Sequence, residues 1–278
     1  YDSAGIAVAE GGKIRRVRAE GKLARLEDKL RSEMPEGSTG IGHTRWATHG
    51  APTERNAHPH VAGRVALVHN GIIENFAALK RELAGNGVVF ESDTDTEVVA
   101  HLLARELDAG SSPRAAMQAV LGQIEGAFAL AVLIAGEEDL LLGARRGPPL
   151  AIGHGDGEMF LGSDALALSP FTTRVTHLED GDWTVLTRGS ARIYDATGAE
   201  VERPMRNVHA AYAPIDRGNY RHFMLKEIHE QPEVVSHTLA RYVDMTNERV
   251  ALPRDLTAKL GSIGRLSIAA CGTAYLAG

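Results

Sequence analysis

The octapeptide His43-Thr44-Arg45-Trp46-Ala47-Thr48-His49-Gly50, followed by Val68-His69-Asn70-Gly71 and Ser92-Asp93-Thr94-Asp95-Thr96-Glu97, gathers groups suited to gripping an amino acid and stabilising an oxyanion. A free amino acid presents a carboxylate and an ammonium. The guanidinium of Arg45 can fork onto the first with two charge-assisted hydrogen bonds, and the carboxylate of Asp95 can pair with the second. Attack on an amide carbonyl also needs donors where negative charge develops. The Asn70 side-chain amide and the Gly71 backbone N–H, read as lying at a tight turn, supply two, and glycine at 71 permits close backbone approach. Trp46 and His49 suit the walls and lid of such a pocket. Taken singly, each of these residues is ordinary: an ion pair, a turn, a core aromatic or a hydrogen-bonded histidine. Their joint occurrence in register is the specific signal.

The nucleophile that this set would serve is missing. The one cysteine, Cys271, lies near the C-terminal end, and the opening Tyr1-Asp2-Ser3-Ala4-Gly5 offers no attacking group. His43, His58, His60 and His69 show no ligand spacing, such as two histidines four apart on a helix with a glutamate between. Hydrogen-bonding roles are therefore expected for them, and no metal.

The elements that must position these groups follow from patterning. Gly5 to Ala9 and Ile14 to Arg18 alternate around Gly11-Gly12 as a β-hairpin. Leu23, Leu26 and Leu30 give an amphipathic helix over 22–31. Residues 39–46 and 64–69 read as strands, and Asn75 is placed to cap a helix through about Leu83. Thr94 with Glu97 forms a capping-box pattern ahead of a helix whose Val98, Val99, Leu102, Leu103 and Leu107 share a face, which puts Asp95 at a helix entry. Ser111-Ser112-Pro113 opens a helix to about Gln123. Strands are expected at 127–134, 140–144, 149–153, 159–162, 173–178, 182–187 and 190–194, separated by Gly- and Asp-containing turns, as in packed antiparallel sheets. Glu202 to Gly218 holds Pro204 and Pro214 with little periodicity and reads as a linker. Beyond it, a helix should run from Arg221 to about Glu230, ending ahead of Pro232, and another from Glu233 to Tyr242, with an apolar strand at 265–270 entering Cys271-Gly272-Thr273 at the start of a second, α/β unit.

A chain of 278 residues, 44% hydrophobic and 24% charged, has the composition of a globular protein able to bury a core. Its formal net charge of −6, with the basic residues dispersed, speaks against nucleic acid as a partner. No apolar run approaches the roughly 20 residues of a membrane span. A single cysteine excludes an internal disulfide framework and makes a cytoplasmic location the expectation.

These motifs resemble the family of isomerizing glutamine:fructose-6-phosphate aminotransferases. The likeness includes 1–5, the octapeptide 43–50, His69-Asn70-Gly71-Ile72-Ile73-Glu74-Asn75 and Thr94-Asp95-Thr96-Glu97-Val98. It continues in Lys226-Glu227-Ile228-His229-Glu230-Gln231-Pro232 and Ala270-Cys271-Gly272-Thr273-Ala274-Tyr275, two motifs that set this family apart from asparagine synthetases and the purine amidotransferase. The resemblance implies an α+β fold of the N-terminal-nucleophile class, a four-layer αββα sandwich over 1–205, then a linker at 206–220 and the start of an α/β sugar-phosphate isomerase (SIS) domain at 221–278. It also implies that Arg45, Trp46, Thr48, His49, Gly71 and Asp95 contact glutamine, that Asn70 and Gly71 form the oxyanion hole, and that Trp46 gates an ammonia channel. Thr273 would contact the sugar phosphate. Glutamine and fructose 6-phosphate are the implied substrates, with no cofactor, in a homodimer when the protein is complete. The family nucleophile is an N-terminal cysteine whose α-amino group serves as base. The chain as written is expected to begin after it and to be catalytically incomplete. The rival is a nucleophile-free glutamine-binding or regulatory module.

Overall fold

The computed structural model describes residues 1–46, 50–208, 220–244 and 249–250, together with 257, 260, 262–265 and 267. The chain divides into two compact units, 1–213 and 214–278.

The first unit opens with the expected hairpin. Strands β1 (Ser3–Glu10) and β2 (Lys13–Glu20) pair antiparallel. Gly11 and Gly12 join them at φ of 56° and 76°, values that glycine reaches without steric cost and that match the strand twist. The other edge of β1 pairs with β3 (Thr39–Arg45). Helix α1 (Leu23–Glu33) lays Leu26 against Ala4, Val17 and Ala19, closing the outer face of this three-stranded sheet.

The second sheet has seven strands, all antiparallel, in the order β13-β12-β11-β7-β6-β5-β4. They are β4 (His60–Ala62), β5 (Val65–Ile73), β6 (Gly126–Ile134), β7 (Leu141–Arg146), β11 (Trp183–Thr187), β12 (Ser190–Tyr194) and β13 (Glu200–Val201). Strands β5 and β6 pair from Val65 opposite Ile134 to Ile73 opposite Gly126. Their side chains alternate between two apolar environments. Leu67, Leu130 and Val132 face α2 (Phe76–Gly85), α3 (Glu97–Asp108) and α4 (Pro113–Leu121). Ala66, Val68 and Leu133 pack with Ala7 and Ile41 of the first sheet. Because both faces are covered, β6 reads as a nearly continuous apolar run rather than an alternating one. Each fully buried leucine such as Leu67 contributes about 1.5–3 kcal/mol.

A third sheet, in the order β14-β10-β8-β9, contains β8 (Ala151–His154), β9 (Met159–Gly162), β10 (Arg174–His177) and β14 (Met205–Asn207). Leu150 and Ile152 meet Ala129, Leu186 and Ile193 of the large sheet, while α5 (Ala165–Leu168) puts Leu168 against Ala151 and Val175 on the far side. The layers are therefore three helices, the seven-stranded sheet, the two smaller sheets, and α1 with α5. This is the αββα sandwich expected of the α+β class.

Two expectations need correction. The segment from Glu202, read as a linker, contains β14, whose Met205 to Asn207 pair with Thr176 to Arg174. Three residues are too few to show a period, so only the partner strand reveals them. The helix expected to end ahead of Pro232 instead runs through it as α6 (Phe223–Tyr242). Proline removes one N–H and crowds the carbonyl four residues earlier, but its φ is helical and good helix formers flank it at Gln231 and Glu233. In the second unit β15 (Val243–Asp244) pairs with β16 (Arg249–Val250). The expected strand at 265–270 and the residues Cys271 and Thr273 fall largely or wholly outside the described residues. Among the described residues no helix is long and apolar enough to cross a membrane.

Candidate functional site

A cavity of about 600 Å³ opens in the first unit, and Arg45, Trp46, Asn70, Gly71 and Asp95 all line it. They arrive from three places: the end of β3, the interior of β5 and the loop before α3. The packing of Ile41 against Val68 sets β3 against β5, and the pairing of β5 with β6 fixes the height of Asn70 and Gly71. Thr48 and His49 lie outside the described residues, as does Thr273.

Asn70 and Gly71 are not at a tight turn. They sit inside β5, opposite Ala129 and Phe128. The Asn-Gly pair is a strong turn signal, but the apolar run around it stays paired with β6 and prevents a chain reversal. The glycine is used differently. It has a φ of 125°, and a Cβ there would overlap the Ala127 carbonyl oxygen, so only glycine fits. Asn70 Oδ1 accepts a hydrogen bond from His43 Nε2 at 2.7 Å, which leaves the amide nitrogen as that side chain's donor.

Asp95 is buried, and its Oδ2 accepts the Ile73 backbone N–H at 2.8 Å. The capping box expected beside it does not form. Thr94 turns its hydroxyl to Ser92 Oγ and His60 Nε2, and α3 starts at Glu97 with Thr96 in the cap position and no side-chain cap bond. Glu97 instead accepts the Glu91 N–H at 2.6 Å, the Ser92 N–H at 2.5 Å and the Ser92 hydroxyl at 2.6 Å. The bend at 91–92 offers Glu97 two N–H donors at once, where a capping box offers one. Burial alone would raise the Glu97 carboxyl, but hydrogen bonds from His101, Ser92 and the two N–H groups hold it at about 2. Asn75 likewise occupies a cap position while its side chain bridges the Gln123 carbonyl and the Glu125 N–H.

Behind Asp95 lies a buried polar layer that residue spacing does not reveal. Thr96 Oγ1 stands 3.1 Å from His58 Nε2 and 3.0 Å from His69 Nδ1. A hydroxyl has one proton, so at most one ring accepts from it and the other donates to it. Burial pushes His58 far down and His60 down to about 3, and it lowers His69 as well, so the rings are neutral near pH 7. Among the described residues no three His, Cys, Asp or Glu side chains are grouped to hold a metal.

The opposite wall is built otherwise. The Arg45 side chain is 4% exposed, and its terminal nitrogens donate to the Ala51 carbonyl at 3.2 Å and the Gly50 carbonyl at 3.1 Å, with Asp2 at 3.6 Å. Trp46, next along the chain, is 76% exposed at the rim.

Residues 43–170 match the glutamine amidotransferase domain family. All 278 residues align with proteins named glutamine–fructose-6-phosphate aminotransferase (isomerizing). Identity is 60% for the one from Mesorhizobium japonicum and 59% for that from Caulobacter vibrioides, and the chain spans 46% of the length of each. Among solved structures, a glutamine phosphoribosylpyrophosphate amidotransferase from B. subtilis, bound to ADP and GMP, superposes with a TM-score of 0.59 at 25% identity. It covers 70% of this chain and 43% of its own. A structure described as the allosteric regulatory enzyme of purine biosynthesis gives a TM-score of 0.60, with the same identity and coverage. Along its whole length the chain is thus similar to proteins named isomerizing glutamine–fructose-6-phosphate aminotransferases, spanning about half of their length, and residues 43–170 match the glutamine amidotransferase domain family.

Proposed function

We propose that the cavity of the first unit binds glutamine and cleaves its side-chain amide, and that the longer protein delivers the released nitrogen to fructose 6-phosphate, giving glucosamine 6-phosphate and glutamate. The observation that carries this reading is the convergence of Arg45, Asn70, Gly71 and Asp95, from three separate segments, on one cavity. Asp95 meets the substrate ammonium with the carboxylate oxygen that Ile73 does not occupy. Arg45 meets the α-carboxylate by exchanging contacts with the 50–51 carbonyls. The Asn70 amide and the Gly71 N–H receive the oxyanion as sulfur adds to the amide carbon. Collapse of that adduct expels ammonia, and water hydrolyses the thioester to glutamate. By family resemblance the sulfur belongs to a cysteine at the N-terminus of the longer protein, with the α-amino group as base. By the same family resemblance Trp46, Thr48 and His49 contact glutamine, and the second unit begins the sugar-phosphate domain, where Thr273 has the role of a phosphate contact.

The test compares glutamine hydrolysis by residues 1–278 with hydrolysis by the same chain extended upstream through that cysteine. Activity only in the extended protein is the expected result. Inactivity of both, with glutamine still bound, would shift the reading to a binding module.

A further inference from the structure

We infer that His43 is a positioning residue for the oxyanion donor: its Nε2–H fixes the Asn70 side-chain amide in the one orientation that turns N–H groups, not oxygen, toward the substrate. The inference deepens the glutaminase reading and rests on it. An amide oxygen only accepts, so the 2.7 Å contact between His43 Nε2 and Asn70 Oδ1 places a proton on Nε2. Rotating the amide by half a turn would present oxygen to the oxyanion and set its NH2 against that N–H, donor facing donor; relieving the clash by moving the ring proton to Nδ1 would bury an N–H that has no acceptor there. The bond therefore selects the orientation rather than merely anchoring the chain.

The imidazole is well held for this role. It projects from β3, and its ring lies tilted against that of His58, with centroids 4.4 Å apart, while His58 in turn meets His60 edge-on at 4.7 Å. His58 is tied to Thr96, so the His43 ring rests on the layer that also backs Asp95. Its other nitrogen, Nδ1, is buried with no hydrogen-bond partner. A neutral ring protonated at Nε2 leaves a bare lone pair there, whereas a charged ring would bury an unpaired N–H, the costlier arrangement. Burial of His43 lowers its pKa and favours the same neutral form. Asn70 itself is exposed to the cavity, and without this bond its amide would turn freely.

Two measurements test the role. Imidazole 15N resonances of the unaltered chain should show His43 protonated at Nε2 and bare at Nδ1. The opposite tautomer would overturn the proposal whether or not the protein acts on glutamine. In the full-length protein, His43→Leu should lower kcat for glutamine hydrolysis about tenfold with KM within about twofold, and His43→Gln, whose amide nitrogen reaches the same position, should restore most of the loss. Asn70→Ala should lower kcat by about 10²–10³-fold, and adding His43→Leu to it should cost nothing more. Multiplying losses in the double variant would show that His43 acts other than through Asn70. If the unaltered full-length protein hydrolyses no glutamine at all, the glutaminase reading falls and takes this role with it. Activity with multiplying losses sinks the positioning role alone.

Discussion

The two walls of the cavity are secured in different ways. On the β5 and α3 side, Asp95 is fixed by a strand N–H and Glu97 ties the loop that carries it, in front of a layer of neutral histidines joined through Thr96. None of those bonds needs to break when a ligand arrives. On the β3 side, the Arg45 guanidinium is spent on the carbonyls of Gly50 and Ala51, and Trp46 stands in solvent. A carboxylate arriving there competes with groups already bound. The difference teaches that one wall is a fixed template and the other an exchangeable clasp, and substitutions should divide accordingly between effects on stability and effects on binding.

The largest expected effect is on the template. Glu97→Ala strips three donors at 91 and 92 of their acceptor, two of them backbone N–H groups that bury on folding. A loss of about 3 kcal/mol is expected, since a broken charged hydrogen-bond network leaves its partners unsatisfied. Urea unfolding at pH 7 checks this, with the midpoint falling and the slope unchanged. A loss below 1 kcal/mol would mean that Ser92 and the 91–92 backbone find other acceptors, and that the template is looser than its geometry suggests.

Acid should dismantle the same wall in two stages. His60, whose ordinary value is 6.5, sits at about 3 in the fold because burial disfavours its charged form. The unfolded chain therefore binds a proton below pH 6.5 that the folded chain refuses, and stability falls as pH drops from 6.5 toward 3. At about 1.4 kcal/mol per pH unit, His60 alone removes roughly 3 kcal/mol by pH 4, and His58 and His69 act in the same direction. Glu97, at about 2 against an ordinary 4.5, adds a second decline between pH 4.5 and 2, since the folded carboxylate is then the less readily protonated. Denaturation midpoints that stay level from pH 7 to 4.5 would show that the histidine layer is hydrated and not sealed.

Legibility in the sequence follows the same division. The apolar runs of β5 and β6 announce strands covered on both faces, and Ser112-Pro113 announces a helix start that the structure caps with the Ser112 hydroxyl on the Ala115 N–H. Arg45, Asn70, Gly71 and Asp95 stand out because their types carry chemistry. Thr94 and Glu97 read as a capping box, but the donors that the folded loop offers at 91 and 92 outcompete the local motif. Thr96 joins His58 and His69 across 38 and 27 residues of chain, and no local pattern encodes a hydroxyl shared at that distance. Asn70-Gly71 reads as a turn because Asn-Gly favours one. What keeps it inside a strand is the pairing of Gly71 with Phe128 of β6, a partner far off in the chain.

The smallest effect on stability should come from the clasp. Trp46 is 76% exposed, so its ring buries little in the free protein, and Trp46→Ala should move the unfolding free energy by no more than about 0.5 kcal/mol. Its aromatic area becomes useful only when a ligand is present to be covered. Glutamine affinity, measured by calorimetry, should therefore weaken severalfold while the urea midpoint holds. A variant that unfolds early but binds normally would place Trp46 with the template, and the contrast between the two walls would end one residue further along the chain, beyond Trp46 and not before it.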